Sequence, residues 1–231
     1  FGAHLVHKRG DLGFARPIGI DTDGAEITRT TARLAGAGAL KTFHANFAGL
    51  GRIVAAEAPD GVDIILADLG VSSMQLDDPT RGFSYKQNGP LDMRMDHRIG
   101  KTAAQLLAEL PEDELAEALA GLSDEPDAAG IARAIIIHRA RQPIANTQDL
   151  ARVVFEAKGV PWPWRPRGEN ARALHPAALT FQALRMLVND EAGKLAQMLR
   201  DAPYCLKPGG RIGVISFHSG EDRLVKHSFR D

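Results

Sequence analysis

Short apolar runs alternate with helical patterns along much of the chain. Residues 17–21 (PIGID), 40–44 and 62–67 (VDIILA) are apolar runs of strand length, and residues 211–217 (RIGVISF) follow a KPGG turn. Residues 23–34 separate the first two runs with a helical pattern. Continuous apolar strands between helices are typical of a parallel sheet that is covered by helices on both faces. The pattern therefore predicts an α/β fold with a mostly parallel sheet.

The middle of the chain has a helical pattern throughout. Thr102 and Gln105 have the spacing of a capping box, in which each side chain bonds the other residue's backbone amide at a helix start. We therefore expect an inserted all-helical domain at residues 99–172. The sheet-forming domain then consists of residues 1–98 and 173–231.

The composition limits the classes of function. The 231 residues include 28 Lys and Arg against 29 Asp and Glu, a formal net charge of −1, so the chain provides no overall positive field for a polyanion. Binding to a nucleic acid has to come from a local basic cluster. The single cysteine, Cys205, excludes an internal disulfide and a cysteine-rich zinc site.

The sequence indicates a soluble, cytoplasmic protein without a membrane partner. No apolar run approaches the roughly 20 residues that span a bilayer, and residues 1–10 lack the layout of a signal peptide. No metal site is expected either. His4 with His7, and His218 with Glu221, have spacings that can reach one metal on a helix, but such pairs more often cap helices or lie on the surface.

Two segments of the helical region differ sharply in charge. Residues 109–127 contain eight acids and no Lys or Arg, so we expect this face to point to solvent or to a protein partner. Residues 158–172 (KGVPWPWRPRGENAR) contain both tryptophans and four basic residues against one acid. This basic aromatic segment suits a nucleic acid, because bases stack on aromatic rings and phosphates pair with cations. The alternative is a clasp in which its tryptophans and prolines pack on their own domain.

The segment between Asp68 and Asp96 carries the strongest signal of a functional site. It reads DLGVSSMQLDDPTRGFSYKQNGPLDMRMD, and its start, Asp68-Leu69-Gly70, ends a predicted strand. Parallel sheets bind ligands at this carboxyl edge, and glycine permits a close backbone approach. A loop of this length inside a compact domain is usually functional. The alternative is an ordered loop whose Asp and Arg residues pair internally.

A second acid, Asp21, ends the PIGID run. At the end of the second strand of a doubly wound sheet, an acid accepts hydrogen bonds from the ribose hydroxyls of a nucleoside cofactor. An Asp at the end of a strand is as often the N-cap of the following helix. From the residues alone, both interpretations stay open.

Four stretches of the chain resemble the signatures of one family. The 68–96 segment and residues 214–229 (VISFHSGEDRLVKHSF) resemble motifs of the MraW family, also called the ribosomal RNA small-subunit methyltransferase H family. Residues 174–191 (LHPAALTFQALRMLVNDE) are similar to its HPATRTFQALRIAVNDE stretch, and residues 131–147 to its IARAIV pattern. The resemblance covers nearly the whole chain in the family's order.

The resemblance implies a class I S-adenosylmethionine-dependent methyltransferase, with a Rossmann-like sheet and an inserted helical domain. The implied cofactor is S-adenosyl-L-methionine. The implied reaction is methylation of N4 of a cytidine in the decoding site of small-subunit (16S) ribosomal RNA. The positions that match the family's cofactor-binding motifs are Gly2, His4, Asp21, Phe47, Asp68 and Gln75.

The match is incomplete at the N-terminus. Only Phe1-Gly2-Ala3-His4 represents the family pattern T-F-G-x-G-G-H. Because the downstream motifs persist, we expect that part of the cofactor loop is missing from this sequence rather than damaged. The first alternative is a non-catalytic ribosome-assembly factor that keeps the fold. The second is a methyltransferase that acts on DNA or on a small molecule.

Chemistry at N4 of cytosine needs positioning more than a strong base, because the nitrogen lone pair is delocalised into the ring. Acceptors that draw the amino protons out of the ring plane localise that lone pair and stabilise the developing positive charge. The catalytic candidates are Asp68 and the backbone carbonyls of Leu69 and Gly70.

The target base must leave its stack before it can react. Aromatic and cationic side chains in the loops are the candidates for holding phosphates or stacking on neighbouring bases. They are Arg81, Arg94, Trp162, Trp164, Arg165, Arg167 and His218. The expected partner is small-subunit ribosomal RNA within the assembled small ribosomal subunit. The oligomeric state is open, and a homodimer is compatible with the sequence.

Overall fold

The computed structural model describes residues 3–8, 15–35, 40–98, 100–165 and 174–230. The chain divides into two compact units. Unit 1 consists of Phe1–Val71 and Glu191–Asp231, and unit 2 consists of Ser72–Asp190. The predicted domain limits, at residues 98/99 and 172/173, both fall inside unit 2. The division into a sheet-forming domain and an inserted helical domain at these limits stays a prediction.

Unit 1 contains a five-stranded sheet. Its strands are β1 (Ala3–Lys8), β2 (Ala15–Asp21), β3 (Lys41–His44), β4 (Val62–Asp68) and β5 (Leu206–Ile215), in the order β3-β2-β1-β4-β5. The pair β2 and β3 and the pair β4 and β5 are parallel, as the apolar runs predict. β1 is antiparallel to both of its neighbours, β2 and β4, so these two strands run in the same direction.

β1 is a strand that the sequence pattern does not predict. Only residues 9–14 connect it to β2. A parallel pair needs a crossover connection of about a dozen residues or more, so this connection is too short for one. The mostly parallel sheet therefore has one reversed strand at its centre.

β5 begins earlier than the sequence predicts. The predicted turn at residues 207–210 lies inside the strand, where the register breaks and these residues stand opposite Asp63 alone. Such an excursion is a large β-bulge. The predicted turn and the predicted strand are thus parts of one element.

The helices that the structure describes are α1 (Gly24–Arg33), α2 (Leu50–Glu57), α3 (Ser73–Asp77), α4 (Ala103–Glu109), α5 (Glu112–Ser123), α6 (Ala128–Arg139), α7 (Thr147–Ala157), α8 (Ala178–Asn189), α9 (Glu191–Cys205) and α10 (Ser219–Ser228). Short 3₁₀ turns lie at Phe47–Gly49 and Pro79–Arg81. None of these helices has the length and apolar character that crossing a bilayer requires.

The core of unit 1 is built from the sheet, α2 and α9. Its buried side chains include Ile18, Ile20, Leu50, Ile53, Met198 and Leu199. Along β4, Ile65 and Ala67 are buried, whereas Ile64 and Leu66 are 45% and 38% exposed. Successive side chains of a strand point to opposite faces. The sequence predicts helices on both faces of the sheet, but among the described residues only one face of β4 is covered.

Unit 2 is built from helices, as predicted for the middle of the chain. The expected capping box is present at the start of α4. The amide of Gln105 donates to Thr102 Oγ1 at 3.2 Å, and the amide of Thr102 donates to Gln105 Oε1 at 2.9 Å. Fully buried side chains from α4 to α7 form the core, among them Leu107, Leu115, Leu119, Ile131, Ile135 and Phe155.

Candidate functional site

The carboxyl ends of β2 and β4 lie at one edge of the unit 1 sheet, called the carboxyl edge below. Both strands pair with β1, where His4 stands opposite Gly19 and Leu66. Asp21 and Asp68 each lie two residues beyond these positions, so the two acids are level with each other. Neighbouring strands are about 4.8 Å apart, which separates the ends of β2 and β4 by roughly 10 Å. Two of the predicted site residues therefore lie at the same edge.

Asp21 is not the N-cap of α1. The cap is Asp23, whose Oδ1 accepts hydrogen bonds from the amides of Ala25 at 3.0 Å and Glu26 at 3.3 Å. Asp21 Oδ1 accepts a bond from the amide of Asp23 at 2.8 Å. The N-cap alternative for Asp21 is therefore wrong. Half-buried at the carboxyl edge, Asp21 has the position that a ribose-binding acid occupies in sheets of this type.

Phe47 opens the 3₁₀ turn that follows β3. Asn46 caps this turn, because its Oδ1 accepts a hydrogen bond from the amide of Ala48 at 2.8 Å. Phe47 is partly buried and packs against the core of unit 1. Since β3 pairs in parallel with β2, the ring follows the strand next to Asp21. Its contact with an adenine stays a prediction.

Asp68 carries a buried oxygen that has no partner in the part of the chain that the structure describes. Its Oδ1 makes no hydrogen bond within the described part of the chain. An unpaired buried acceptor costs about 1–3 kcal/mol, and more when it is charged. Nearly all buried polar groups of native proteins have a partner. This oxygen therefore indicates a position where a ligand or substrate completes the hydrogen bonding.

The two residues after Asp68 are held next to β5. Leu69 is buried, and its amide donates to the carbonyl oxygen of Ile215 at 3.1 Å. Gly70 has a φ of +86°, a left-handed conformation that residues with side chains rarely adopt. The backbone thus turns directly after Asp68. The role of the Leu69 and Gly70 carbonyls as acceptors stays a prediction.

The remaining predicted cofactor residues, unlike Asp21 and Asp68, do not lie at strand ends of the carboxyl edge within the described part of the chain. Gly2 lies outside the described residues, as does Arg167 of the predicted RNA contacts. His4 lies inside β1 and pairs on both sides, rather than in a loop that follows a strand. Gln75 is buried in unit 2, where it forms a capping box with Ser72 at the start of α3. The amide of Ser72 donates to Gln75 Oε1 at 2.9 Å.

Arg81 and Arg94, two predicted RNA contacts, bond within their own loop. Arg94 forms an ion pair with Asp92, with Nε 2.7 Å from Oδ1, and donates to the carbonyl oxygen of His97 at 3.1 Å. Arg81 Nη2 donates to the carbonyl oxygens of Arg94 at 3.1 Å and Met95 at 3.2 Å. Burial of Asp92 raises its pKa, but the hydrogen bonds and charge of Arg94 outweigh this and hold the pKa below its ordinary value. Internal pairing, the alternative that the sequence leaves open, is present.

The two tryptophans pack on unit 2. Trp162 meets Phe155 edge to face with the ring centroids 5.0 Å apart, and Trp164 meets His175 at 5.1 Å. Trp162 nevertheless stays 41% exposed, and Arg165 is exposed. The contacts expected of a clasp therefore exist, while part of the basic aromatic segment remains accessible.

His218 is the N-cap of α10 and faces inward. Its Nδ1 accepts a hydrogen bond from the amide of Glu221 at 3.4 Å, and its Nε2 lies 3.2 Å from Glu221 Oε1. The His218 side chain is only 12% exposed, whereas its neighbour Phe217 is 69% exposed. Nothing in the sequence singles out Phe217, because an apolar residue at the end of the RIGVISF run looks like part of the strand.

The parallel strand pairs β2–β3 and β4–β5 and the helices packed on them fit an α/β Rossmann-like fold, the class to which the class I S-adenosylmethionine-dependent methyltransferases belong. The model of the MraW methylase family matches residues 3–231. The chain therefore belongs to the MraW methylase family.

Curated relatives with the name ribosomal RNA small subunit methyltransferase H are similar over most of the chain. The relative from Acidothermus cellulolyticus is 45% identical over 214 residues, which are 92% of this chain and 63% of the relative. The relative from Methylococcus capsulatus is 49% identical over 189 residues, 81% of this chain and 60% of the relative. The relative from Sorangium cellulosum is 44% identical over 218 residues, 94% of this chain and 67% of the relative. The chain thus spans about three fifths to two thirds of the length of these relatives.

Proposed function

We propose that the protein transfers a methyl group from S-adenosyl-L-methionine to N4 of a cytidine in the decoding site of small-subunit ribosomal RNA. The observation that carries this proposal is the buried Oδ1 of Asp68, which has no hydrogen-bond partner among the described residues and lies level with Asp21 at the carboxyl edge. Membership of the MraW methylase family and the names of the relatives support methylation of small-subunit ribosomal RNA.

The side chains at the carboxyl edge fit S-adenosylmethionine chemically. Asp21 offers carboxylate oxygens to ribose hydroxyls, and the Phe47 ring follows the neighbouring strand, where it suits an adenine. The negative charge of the Asp68 carboxylate suits a nearby cation such as a sulfonium, while its Oδ1 stays available as a hydrogen-bond acceptor within the described residues. When bound, the cofactor supplies an electrophilic methyl group. The family resemblance adds His4 and Gln75 as further proposed contacts.

Asp68 is proposed to act on the acceptor base through hydrogen bonding. The amino group of cytosine is planar because its lone pair is delocalised into the ring. Asp68 Oδ1, together with the carbonyls of Leu69 and Gly70, draws the amino protons out of that plane and stabilises the positive charge that develops on the nitrogen. Because Oδ1 has no partner within the described residues, this bond replaces no existing protein hydrogen bond.

The accessible part of the basic aromatic segment is proposed to bind RNA. Trp162 presents an exposed ring, Arg152 lies over that ring at 5.9 Å, and Arg165 is exposed. A base stacked on such a ring contributes about 1–3 kcal/mol. Arg81 and Arg94 are proposed to act by shaping the loop that contains them, because their guanidinium groups bond to it.

The assembled small ribosomal subunit is the proposed form of the substrate, in the cytoplasm. A net charge of −1 gives the protein little long-range attraction to free RNA, so binding depends on a surface that matches local groups. The proposal applies equally to a monomer and to a homodimer.

The direct experiment is methyl transfer from labelled S-adenosylmethionine to small ribosomal subunits that lack the modification, followed by nucleoside analysis. We expect label in N4-methylcytidine, and more label with subunits than with the extracted RNA. Label in another nucleoside contradicts the proposed atom, and no label in RNA contradicts the proposed function.

The variant Asp68→Asn tests the assigned residue in the same assay. The amide keeps the shape of the carboxyl group but removes its charge, so we expect turnover to fall by about 10²- to 10⁴-fold with an unchanged Tm. Cofactor affinity is measured in the same variant, because Asp68 also lies at the proposed cofactor site. Asp63→Asn, near the other end of β4, is the matched control. Equal turnover in the two variants removes Asp68 from the mechanism.

A further inference from the structure

An exposed aromatic ring lies directly after β5. Phe217 follows the strand by two residues and is 69% exposed. Among the described residues its ring makes no aromatic contact, unlike the rings of Trp162 and Trp164, which meet Phe155 and His175. A single exposed ring is ordinary on a protein surface, so it is the position of Phe217 at the carboxyl edge that bears on function.

The backbone beneath this ring is fixed by a buried acid. The amide of Phe217 donates to Glu221 Oε2 at 2.9 Å, and Glu221 is only 4% exposed. Glu221 is in turn held by the inward-facing His218, which accepts its amide at 3.4 Å. A buried carboxylate at the start of α10 therefore holds Phe217 in place while leaving its ring accessible.

Phe217 lies beside the turn that follows Asp68. Asp68 pairs with Ile215, and Gly70 and Phe217 each lie two residues further along. A Cβ placed on Gly70 would contact the Phe217 ring at 3.7 Å, so the two positions are neighbours and glycine leaves the space between them open. The ring is therefore adjacent to the backbone that carries the proposed acceptors.

The strand order places Phe217 on the side of Asp68 that faces away from the proposed cofactor site. In the order β3-β2-β1-β4-β5, Asp21 on β2 lies two strands to one side of Asp68, and Phe217 after β5 lies one strand to the other. The methyl donor is proposed at the β2 side. The β5 side is then the side on which an acceptor base approaches Asp68.

We propose that the ring of Phe217 is the stacking surface for the extruded target pyrimidine. The inference rests on the proposed function and deepens it by naming the side chain that holds the base next to Asp68. A π-face binds any base, so Phe217 positions the ring, while the acceptors after β4 act on its amino group. Glu221 and His218 act through Phe217 as positioning residues.

The test compares Phe217→Leu with Phe217→Tyr in methyl transfer to small subunits that lack the modification. Leucine keeps the apolar volume but has no π-face, so kcat/KM should fall about 5- to 150-fold, which corresponds to the 1–3 kcal/mol of one stacked base. Tyrosine should stay within about threefold of the original protein. The Kd for S-adenosylhomocysteine should be unchanged in both variants. Phe229→Leu, at the far end of α10 and also exposed, is the matched control.

Each outcome separates the inference from the proposed function. If the original chain methylates the subunit and Phe217→Leu is as active as Phe217→Tyr, the stacking role is wrong and the proposed function stands. If Phe217→Leu weakens S-adenosylhomocysteine by the same factor as kcat/KM, the ring belongs to the cofactor site and the inference is overturned. If the original chain transfers no methyl group to the subunit, the proposed function fails, and the inference fails with it.

Discussion

The contacts of the His175 side chain require a neutral imidazole ring. Its ring stacks on Tyr85, with centroids 3.9 Å apart and planes inclined by 11°, and its Nδ1 accepts a hydrogen bond from the amide of Ala177 at 3.3 Å. Burial lowers the pKa of His175 and raises the pKa of Tyr85. A protonated imidazole has no acceptor at Nδ1, so charging the ring breaks the bond to Ala177.

We expect His175 to make stability depend on pH. Its pKa is lower in the folded chain than the value of about 6.5 in the unfolded chain, so between these values the unfolded chain binds more protons. Well above the unfolded-state pKa, His175 has no pH-dependent effect on the free energy of unfolding. As the pH falls through this window, the free energy of unfolding falls. The measurement is Tm at about pH 7.5 and about pH 5.5 for the original chain and for His175→Gln.

The variant His175→Gln should lose less Tm between the two pH values than the original chain does. His138→Gln, in α6 of unit 2, is the control for removal of a histidine. An equal loss of Tm in the original chain and in His175→Gln would show that this side chain does not contribute to the pH dependence.

The acids of the candidate site could be predicted from the sequence, but most of the arginine contacts could not. Asp21 and Asp68 are placed by the strands directly before them, so local pattern is sufficient. The roles of Arg81 and Arg94 depend on carbonyl oxygens that the fold of the loop brings within reach. The backbone position of Phe217 is fixed by a bond from its amide to Glu221, one turn into the next helix.

The loop of residues 78–98 is fixed by the ends of two helices. Asn189, at the end of α8, donates from Nδ2 to the carbonyl oxygen of Met93 at 2.7 Å and accepts the amide of Met95 at 2.8 Å. Thr147, at the start of α7, donates to the carbonyl oxygen of Gln87 at 2.7 Å. Although it is long and rich in polar residues, the loop is therefore an ordered part of unit 2.

Removing the amide of Asn189 should destabilise the protein. Asn189 is only 8% exposed, so Asn189→Ala removes its hydrogen bonds to the buried carbonyl oxygen of Met93 and the partly buried amide of Met95. We expect a loss of about 2–3 kcal/mol in the free energy of unfolding. Urea unfolding measures this loss, and hydrogen exchange at the Met95 amide should become faster. Asn88→Ala, an exposed residue of the same loop, is the control; equal stability of the two variants contradicts this role of Asn189.

The strands and helices predicted from local pattern are found where the pattern is strong. α1 and its two cap residues span residues 23–34, the predicted range, and the capping box of Thr102 and Gln105 begins α4. The reversed strand β1 is different, because its place depends on pairing with β2 and β4 rather than on its own residues. The bulge in β5 likewise depends on the neighbouring strand, since a KPGG sequence alone reads as a turn.

The chain has a net charge of only −1, yet its two units present surfaces of different chemical character. Unit 1 presents carboxylates and an exposed aromatic ring at one sheet edge, and unit 2 presents the accessible part of the basic aromatic segment. The alternative of a non-catalytic assembly factor keeps both units but predicts no cofactor at the carboxyl edge. The central claim is therefore that a cofactor binds there.

The most direct test of this claim is a structure of the chain in complex with S-adenosylhomocysteine. We predict the ribose hydroxyls within hydrogen-bond distance of the Asp21 carboxylate, and the ligand sulfur on the Asp68 side of the same edge. A ligand bound elsewhere, or Asp21 and Asp68 side chains that point away from it, would contradict the account.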